Sequence, residues 1–287
     1  MTTVSSTVPT HGNYHNYHGY LNHHPGPCDP RLSLLPRELL LGARVLDIGC
    51  NEGWVSCEIA QTWGARRVVG VDIDDALVRM AWKRRRMLWS HQQPVDSEPP
   101  RDDEDDRPKK KRKRGGKDTH AEPLPKVVKA DYFPASCQHM FGPLPVPPAE
   151  VIGGVEEFPH NISFRRADWT NETIPEDAGS YDVVVAFSVS KWIHLNGGDE
   201  GLKRFFRRIY DVLSPGGTFV FEPQQWDSYT KARKLDSVLQ ENAKNLKLRP
   251  ESFDELLQEI GFEGPRRLGE VGEGRFRRPV ELYTKSN

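Results

Sequence analysis

The chain has 287 residues, 36% of them hydrophobic and 28% charged, with 40 Lys plus Arg against 41 Asp plus Glu and a formal net charge of −1. That length admits one large domain or two small ones, and the balanced total says nothing about nucleic acid, so only the distribution of charge is informative. Four cysteines without C-x-x-C spacing exclude a disulfide scaffold and imply a reducing compartment, and no apolar run reaches membrane-spanning length.

In chain order, residues 1–30 are rich in His, Tyr, Asn and Pro and follow neither helical nor strand periodicity, which predicts a loosely structured arm. Tyr14, Tyr17 and Tyr20 stand three apart and would share one side of a short helix, a lid, if a ligand or the core held it. The apolar run Ala43 to Ile48 predicts a strand, Gly49 to Gly53 a turn, and Val55, Ile59 and Ala60 a helix. A second strand over Arg67 to Val71 ends at Asp72-Ile73-Asp74, and Ala76, Leu77, Met80 and Ala81 mark the next helix. Strand, glycine turn, helix, strand, acid is one half of a doubly wound α/β nucleotide-binding sheet.

Between about Ser90 and Glu122 the pattern vanishes: an acidic run, Asp102 to Asp106, adjoins a basic one, Lys109 to Arg114. Opposed charge blocks with few apolar residues predict a disordered insertion, which the proline-rich stretch 133–159 extends to about 90–160. Order resumes with a strand at Ile162-Ser163-Phe164 leading to Asp168-Trp169, and Tyr181 to Phe187 reads as a central parallel strand buried on both faces. A helix over Leu202 to Leu213 stops at Ser214-Pro215-Gly216-Gly217, and a strand over Thr218 to Phe221 ends at Glu222-Pro223. Helices at Lys231 to Leu246 and Ser252 to Ile260 and a strand at Val280 to Thr284 complete the pattern.

The loop Asp47-Ile48-Gly49-Cys50-Asn51-Glu52-Gly53 has G-x-x-x-G spacing, whereas the strict dinucleotide fingerprint is G-x-G-x-x-G. Its glycine lets backbone approach a ligand, and the helix behind it offers free N–H groups to an anion. Asp72, nineteen residues past Gly53, stands where a carboxylate takes both ribose hydroxyls. Asp168 would bond an adenine amine and Trp169 cover the ring, with a helix cap and a core aromatic as their plain alternatives. The loop itself is either an ordinary turn or a cofactor seat, and within the second reading a dehydrogenase competes with a methyltransferase. Cys50 reads as a small packing residue, and Asp47 and Asp72 lack the partners for a metal site. Lys191 and His194, with Trp192 between them, fall just beyond the central strand, where loops of this fold gather; with Arg31 they are candidates for holding phosphate. A surface ion pair, a solvated loop and a structural hydrogen bond are the respective alternatives for Arg31, Lys191 and His194.

HGNYHNYHGY at 11–20, DPRL at 29–32, VLDIGCNEG at 45–53, VGVDID at 69–74, FSVSKWIHLNGGDEGLKRFFRRIYDVLSPGG at 187–217, FEPQQW at 221–226 and FRRPV at 276–280 resemble the Bin3-type RNA methyltransferases. FPAS at 133–136 and FPHNISF at 158–164 bring the pattern closest to the branch of the 7SK methylphosphate capping enzyme. The resemblance implies a class I methyltransferase fold, with residues 1–30 as an aromatic arm or lid and 31–287 as the methyltransferase domain, interrupted by the insertion. It implies S-adenosylmethionine as cofactor, held by His18, Arg31, Gly49, Cys50, Asn51, Asp72, Ile73, Asp168, Trp169 and Phe187, with Lys191 and His194 at the reaction centre. The family usually has Tyr in place of His18 and Asn-Tyr in place of Asp168-Trp169.

The reaction so implied is methylation of the 5′-terminal γ-phosphate of a small noncoding RNA. Its alternatives are methylation of an RNA 5′-monophosphate and a mainly non-catalytic factor that assembles an RNA–protein particle. A monomeric enzyme without a metal or a membrane anchor is expected, in the nucleus with the cytoplasm as a second location; KKKRKR at 109–114 resembles an import signal or, alternatively, a basic tether for RNA. Lys203, Arg204, Arg207 and Arg208 form either a solvated helix face or a contact for RNA backbone.

Overall fold

The computed structural model describes residues 8–15, 17, 28–91, 140, 142–146, 148, 156–271 and 277–286. The first half-sheet forms where strand and helix periodicities alternate: β1 (Arg44–Ile48), α1 (Trp54–Thr62), β2 (Arg67–Asp72), α2 (Asp75–His91) and β3 (Ile162–Arg166). The second comprises β4 (Tyr181–Phe187), α3 (Ser190–Val212), β5 (Leu213–Glu222), α4 (Tyr229–Ala232), α5 (Ser237–Asn245), α6 (Phe253–Ile260), β6 (Phe262–Val271) and β7 (Arg278–Lys285).

The strands form one sheet in the order β3-β2-β1-β4-β5-β7-β6, parallel through β5, with β7 antiparallel to β5 and β6 antiparallel to β7. This is the expected doubly wound, mostly parallel α/β architecture. Alternate residues face opposite layers. Val45, Val68, Val183 and Val220 pack with Val55 and Ile59 of α1 and Val78 of α2, whereas Leu46, Val69, Val184 and Phe219 pack with Phe205 and Phe206 of α3 and Leu257 of α6. From β1 the chain winds outward through β2 and β3, and from β4 it winds the other way, so the loops after β1 and β4 part and leave a crevice between them.

Four elements depart from the expectations. α3 begins at Ser190, not Leu202, and bends at Gly198, whose φ of 65° and ψ of −171° lie outside the helical region. The helix expected over Lys231 to Leu246 is two, because Asp236 restarts it by accepting a hydrogen bond from the Val238 N–H. Strand β5 starts at Leu213, absorbing the Pro215-Gly216-Gly217 turn through a register shift against β4. Strand β6 was not expected at all: it is an edge strand, mostly exposed, and its polar residues show no apolar face.

Residues 92–139, the bulk of the expected insertion, lie outside the described residues. Beyond it, Pro143 and Leu144 carbonyls accept from Arg86 of α2, and Asn161 Nδ2 bonds the carbonyls of Ala60 and Ala65. Residues 143–144 are thereby tied to α2, and Asn161 to α1 and the turn after it.

Candidate active site

The crevice is a cavity of about 840 Å³ at the carboxyl ends of β1, β2, β3 and β4, lined among others by Gly49, Asn51, Asp72, Ile73, Asp168 and Phe187. Its floor is set by the loop after β1. Gly49 N–H and Cys50 N–H both donate to the Val71 carbonyl, at 2.8 and 3.1 Å, which folds the loop over β2. Gly49 has φ 77°, and a Cβ there would fall 2.1 Å from Val189 Cγ1, so neither the backbone angle nor the space admits a side chain.

Asp72 ends β2 with 9% of its surface exposed. Its Oδ2 accepts from Asn51 N–H at 2.9 Å and its Oδ1 from Asp74 N–H at 3.0 Å. The Ile73 N–H bonds the same carboxylate, whose roughly four acceptor sites leave capacity for a ligand hydroxyl. Burial raises its carboxyl above the ordinary range, against the pull of those N–H donors. Asp168 also stands on the wall, its Oδ2 accepting from Asn171 Nδ2 at 2.7 Å.

Other expected positions fare differently. Cys50 packs in the core with 4% exposure, and burial holds its thiol well above its usual value, so no nucleophile is on offer there. Trp169 touches the wall, but its indole is spoken for: Nε1 donates to Asp177 at 3.1 Å, Phe205 meets it edge-on, and Arg208 lies over it at 4.2 Å. Those contacts match the core-aromatic alternative, while Trp169 also lines the cavity. Arg208 is thereby a packing residue, whereas Arg204 reaches the cavity and bonds Asn171.

Arg31 does not line the cavity. It lies behind Phe187, 4.5 Å over that ring, forked onto Asp29 at 2.9 and 2.7 Å and bonded to Glu222 Oε2 at 3.2 Å. Burial opposes its charge, but the two carboxylates prevail and hold it firmly ionised. A guanidinium so matched supports the wall behind Phe187. His194 likewise does not line the cavity. It is fully buried; its Nε2 donates to Asp199 Oδ1 at 2.8 Å and its Nδ1 accepts from Tyr229 Oη at 3.2 Å. Asp199 also accepts from the Lys247 and Leu248 N–H groups, so the network clamps the α3 bend to the end of α5. Burial lowers the imidazole below its ordinary value despite Asp199, leaving it neutral.

Lys191 is the exception. It lines the cavity with 8% of its surface exposed, yet its ammonium has no carboxylate or hydrogen-bond acceptor among the described residues, only the Trp192 ring at 4.8 Å. Burial, helped by the charge of Arg278, brings it down to about 8.

The sequence reading missed a second layer. Ser188 is a non-glycine residue at φ 61°, immediately after β4. Its Oγ accepts from Tyr17 Oη at 3.1 Å and from Arg278 Nη1 at 2.6 Å, and donates to Glu222 Oε2 at 2.6 Å, which uses its full hydrogen-bonding capacity. Gln224 Nε2 holds the Ser188 carbonyl and its Oε1 accepts from Lys191 N–H. No periodicity marks such residues, although positive φ in a non-glycine residue often accompanies a functional site.

The described part of the arm lies against the cavity. Asn13 Nδ2 donates to Asp74 at 2.6 Å, Asn51 Nδ2 to the Tyr14 carbonyl and Asn196 Nδ2 to the Thr10 carbonyl, both at 2.9 Å, and Tyr14 meets Trp192 edge-on at 5.9 Å. Tyr20 and the expected ligand His18 lie outside the described residues. Among the described residues no group of three His, Cys, Asp or Glu could hold a metal, and no helix is long and apolar enough to cross a membrane.

A model of a methyltransferase domain matches residues 45–101, and one of Bicoid-interacting protein 3 (Bin3) matches residues 181–285. The chain is 37% identical over 286 residues to the 7SK snRNA methylphosphate capping enzyme of Mus musculus, covering 96% of this chain but only 40% of that relative's length. A probable RNA methyltransferase of Arabidopsis thaliana is 34% identical over 253 residues, covering 88% of this chain and 72% of that one. The N-methyltransferase NodS of Bradyrhizobium japonicum, solved with S-adenosyl-L-homocysteine, superposes with a TM-score of 0.52 at 13% identity, covering 97% of this chain and 99% of that one. That likeness is one of fold, the class I methyltransferase fold.

Proposed function

The chain belongs to the Bin3-domain methyltransferase family, and from that premise we propose that it methylates the 5′-terminal γ-phosphate of a small noncoding RNA, with S-adenosylmethionine as methyl donor. The name of the mouse relative, a methylphosphate capping enzyme of an RNA, supports the choice of acceptor. The observation that carries the reading is a mostly buried lysine, Lys191, whose ammonium has no acceptor among the described residues and which lines the same cavity as Gly49 and Asp72.

The residues fit the donor. Gly49 keeps the floor clear of side chain, Asp72 presents a carboxylate with acceptor capacity left beyond its backbone donors, and Asp168 offers an acceptor for an exocyclic amine. Ile73 and Phe187 supply apolar wall on either side. When bound, S-adenosylmethionine supplies a methyl group already activated on a cationic sulfur.

What the chain must then do is hold the acceptor. A terminal phosphate has its second pKa at about 6, so it is largely dianionic at neutral pH and needs no general base. Lys191 would hold that dianion by charge and orient one oxygen into the cavity, and the arm would keep water from the site through Tyr14 and Trp192. The basic run at 109–114 supports a nuclear location.

The test gives the full chain labelled cofactor and one RNA sequence ending in 5′-triphosphate, 5′-monophosphate or 5′-hydroxyl. Transfer to the triphosphate end alone is expected. Preference for the monophosphate would move the substrate to that end, and equal labelling of all three would refute a phosphate acceptor.

A further inference from the structure

Strand β7 runs antiparallel to β5, so its first residue stands at the edge where the parallel strands finish. Arg278 is thereby delivered to the cavity wall beside the segments that follow β4 and β5. Its side chain is nine-tenths buried and braced on two sides, by Ser188 Oγ at 2.6 Å and by Glu222 Oε1 at 4.0 Å. Glu222 is itself shared, its Oε2 taking Arg31 at 3.2 Å and the Ser188 hydroxyl at 2.6 Å. The guanidinium is therefore fixed in orientation before any ligand arrives, and it stands near enough to Lys191 for the two like charges to disfavour one another.

Two nearly buried cations facing one cavity repel, and the Lys191 ammonium has no acceptor among the described residues to offset that. An arrangement of this kind is relieved by an anion carrying more than one charged oxygen. A phosphate monoester meets that description: a rigid guanidinium fork suits two of its oxygens, while a lysine serves as a point charge beside them. We propose that Arg278 is a specificity-determining residue, which together with Lys191 seats the RNA 5′-terminal phosphate and makes the site select a phosphate end over a hydroxyl end. This rests on the reading that the cavity receives an RNA 5′ end, though not on methyl transfer itself.

The experiment measures, by fluorescence anisotropy, the affinity of the full chain for one short RNA bearing either a 5′-phosphate or a 5′-hydroxyl, and takes the ratio. The wild-type chain favours the phosphate end. Arg278→Gln lowers that ratio roughly tenfold, the scale of one lost charge-assisted contact, and Arg278→Lys, which keeps the charge without the fork, restores part of it. Ser188→Ala, which removes the brace at 2.6 Å and no charge, lowers it a few-fold. A wild-type chain without preference, or an Arg278→Gln ratio equal to that of wild type, overturns the assignment. If Arg278→Gln does not fold, as read by its thermal midpoint, the other two variants decide, and a wild-type ratio in both overturns it. A chain that selects phosphate ends but transfers no methyl would refute the enzymatic reading and leave Arg278 in its role; one that methylates RNA without selecting such ends would do the reverse.

Discussion

Replacing Lys191 by Met should make the protein more stable while weakening its grip on phosphate-ended RNA. Burial and the neighbouring Arg278 bring the ammonium from its ordinary 10.5 to about 8, and at about 1.4 kcal/mol per tenfold change in proton affinity, keeping Lys191 charged costs the fold about 3 kcal/mol near pH 7. The contact with Trp192 at 4.8 Å returns about 1 kcal/mol of this, so Lys191→Met should gain about 2 kcal/mol. The sign with pH follows from linkage. Because the folded value lies below the unfolded one, the unfolded chain holds the extra proton between about 8 and 10.5, so the lysine's penalty is full below that window and fades as pH rises through it. Urea unfolding of both proteins at about pH 7 and about pH 10.5 measures the difference. A gain near neutrality that shrinks at high pH is expected; a variant no more stable than wild type, or a gain indifferent to pH, would refute the picture of an uncompensated buried charge.

Two further substitutions test the support of the site. His194→Ala leaves Asp199 and Tyr229 without their partner and opens a void, so unfolding in urea should show a loss of about 2–4 kcal/mol, with the preference for phosphate-ended RNA retained in the folded variant; loss of that preference at unchanged stability would return His194 to the reaction centre. Gly49→Ala places a methyl 2.1 Å from Val189 Cγ1 at φ 77°; titration calorimetry with S-adenosyl-L-homocysteine should find binding weakened by more than about tenfold, and unaltered affinity would remove the Gly49 loop from the cofactor seat.

Much of the fold could be read from residues because its first half keeps to simple patterns. β1 and β2 are short apolar runs, the turn between β1 and α1 needs Gly49, and Asp72 closes β2 where a polar residue meets the cavity. Tyr181 to Phe187 is buried almost throughout because it is the central strand. The start of α3 escaped notice for the opposite reason. Ser190, Lys191, Trp192, His194 and Leu195 are all buried, between the sheet layer and the α4–α5 cluster, so no single apolar stripe forms, and Gly197-Gly198 interrupts the run. β6 escaped because an edge strand needs only backbone partners. The residues that line the cavity were legible only in part. Arg31, Lys191 and His194 look alike as basic residues, and which of them meets a carboxylate depends on Asp29, Glu222 and Asp199, of which Glu222 is reached only through the fold. Arg278 stood in a noticed motif, yet only the antiparallel placement of β7 reveals its neighbours.

The sheet order also bears on how the protein comes off the ribosome. β7 slots between β5 and β6, although it is translated after both. Until residues 278–285 emerge, β5 presents a bare hydrogen-bonding edge, a hazard for sticking to other nascent chains. A message cut short before that point would yield a product lacking both its edge cover and Arg278, one of the cations that line the cavity.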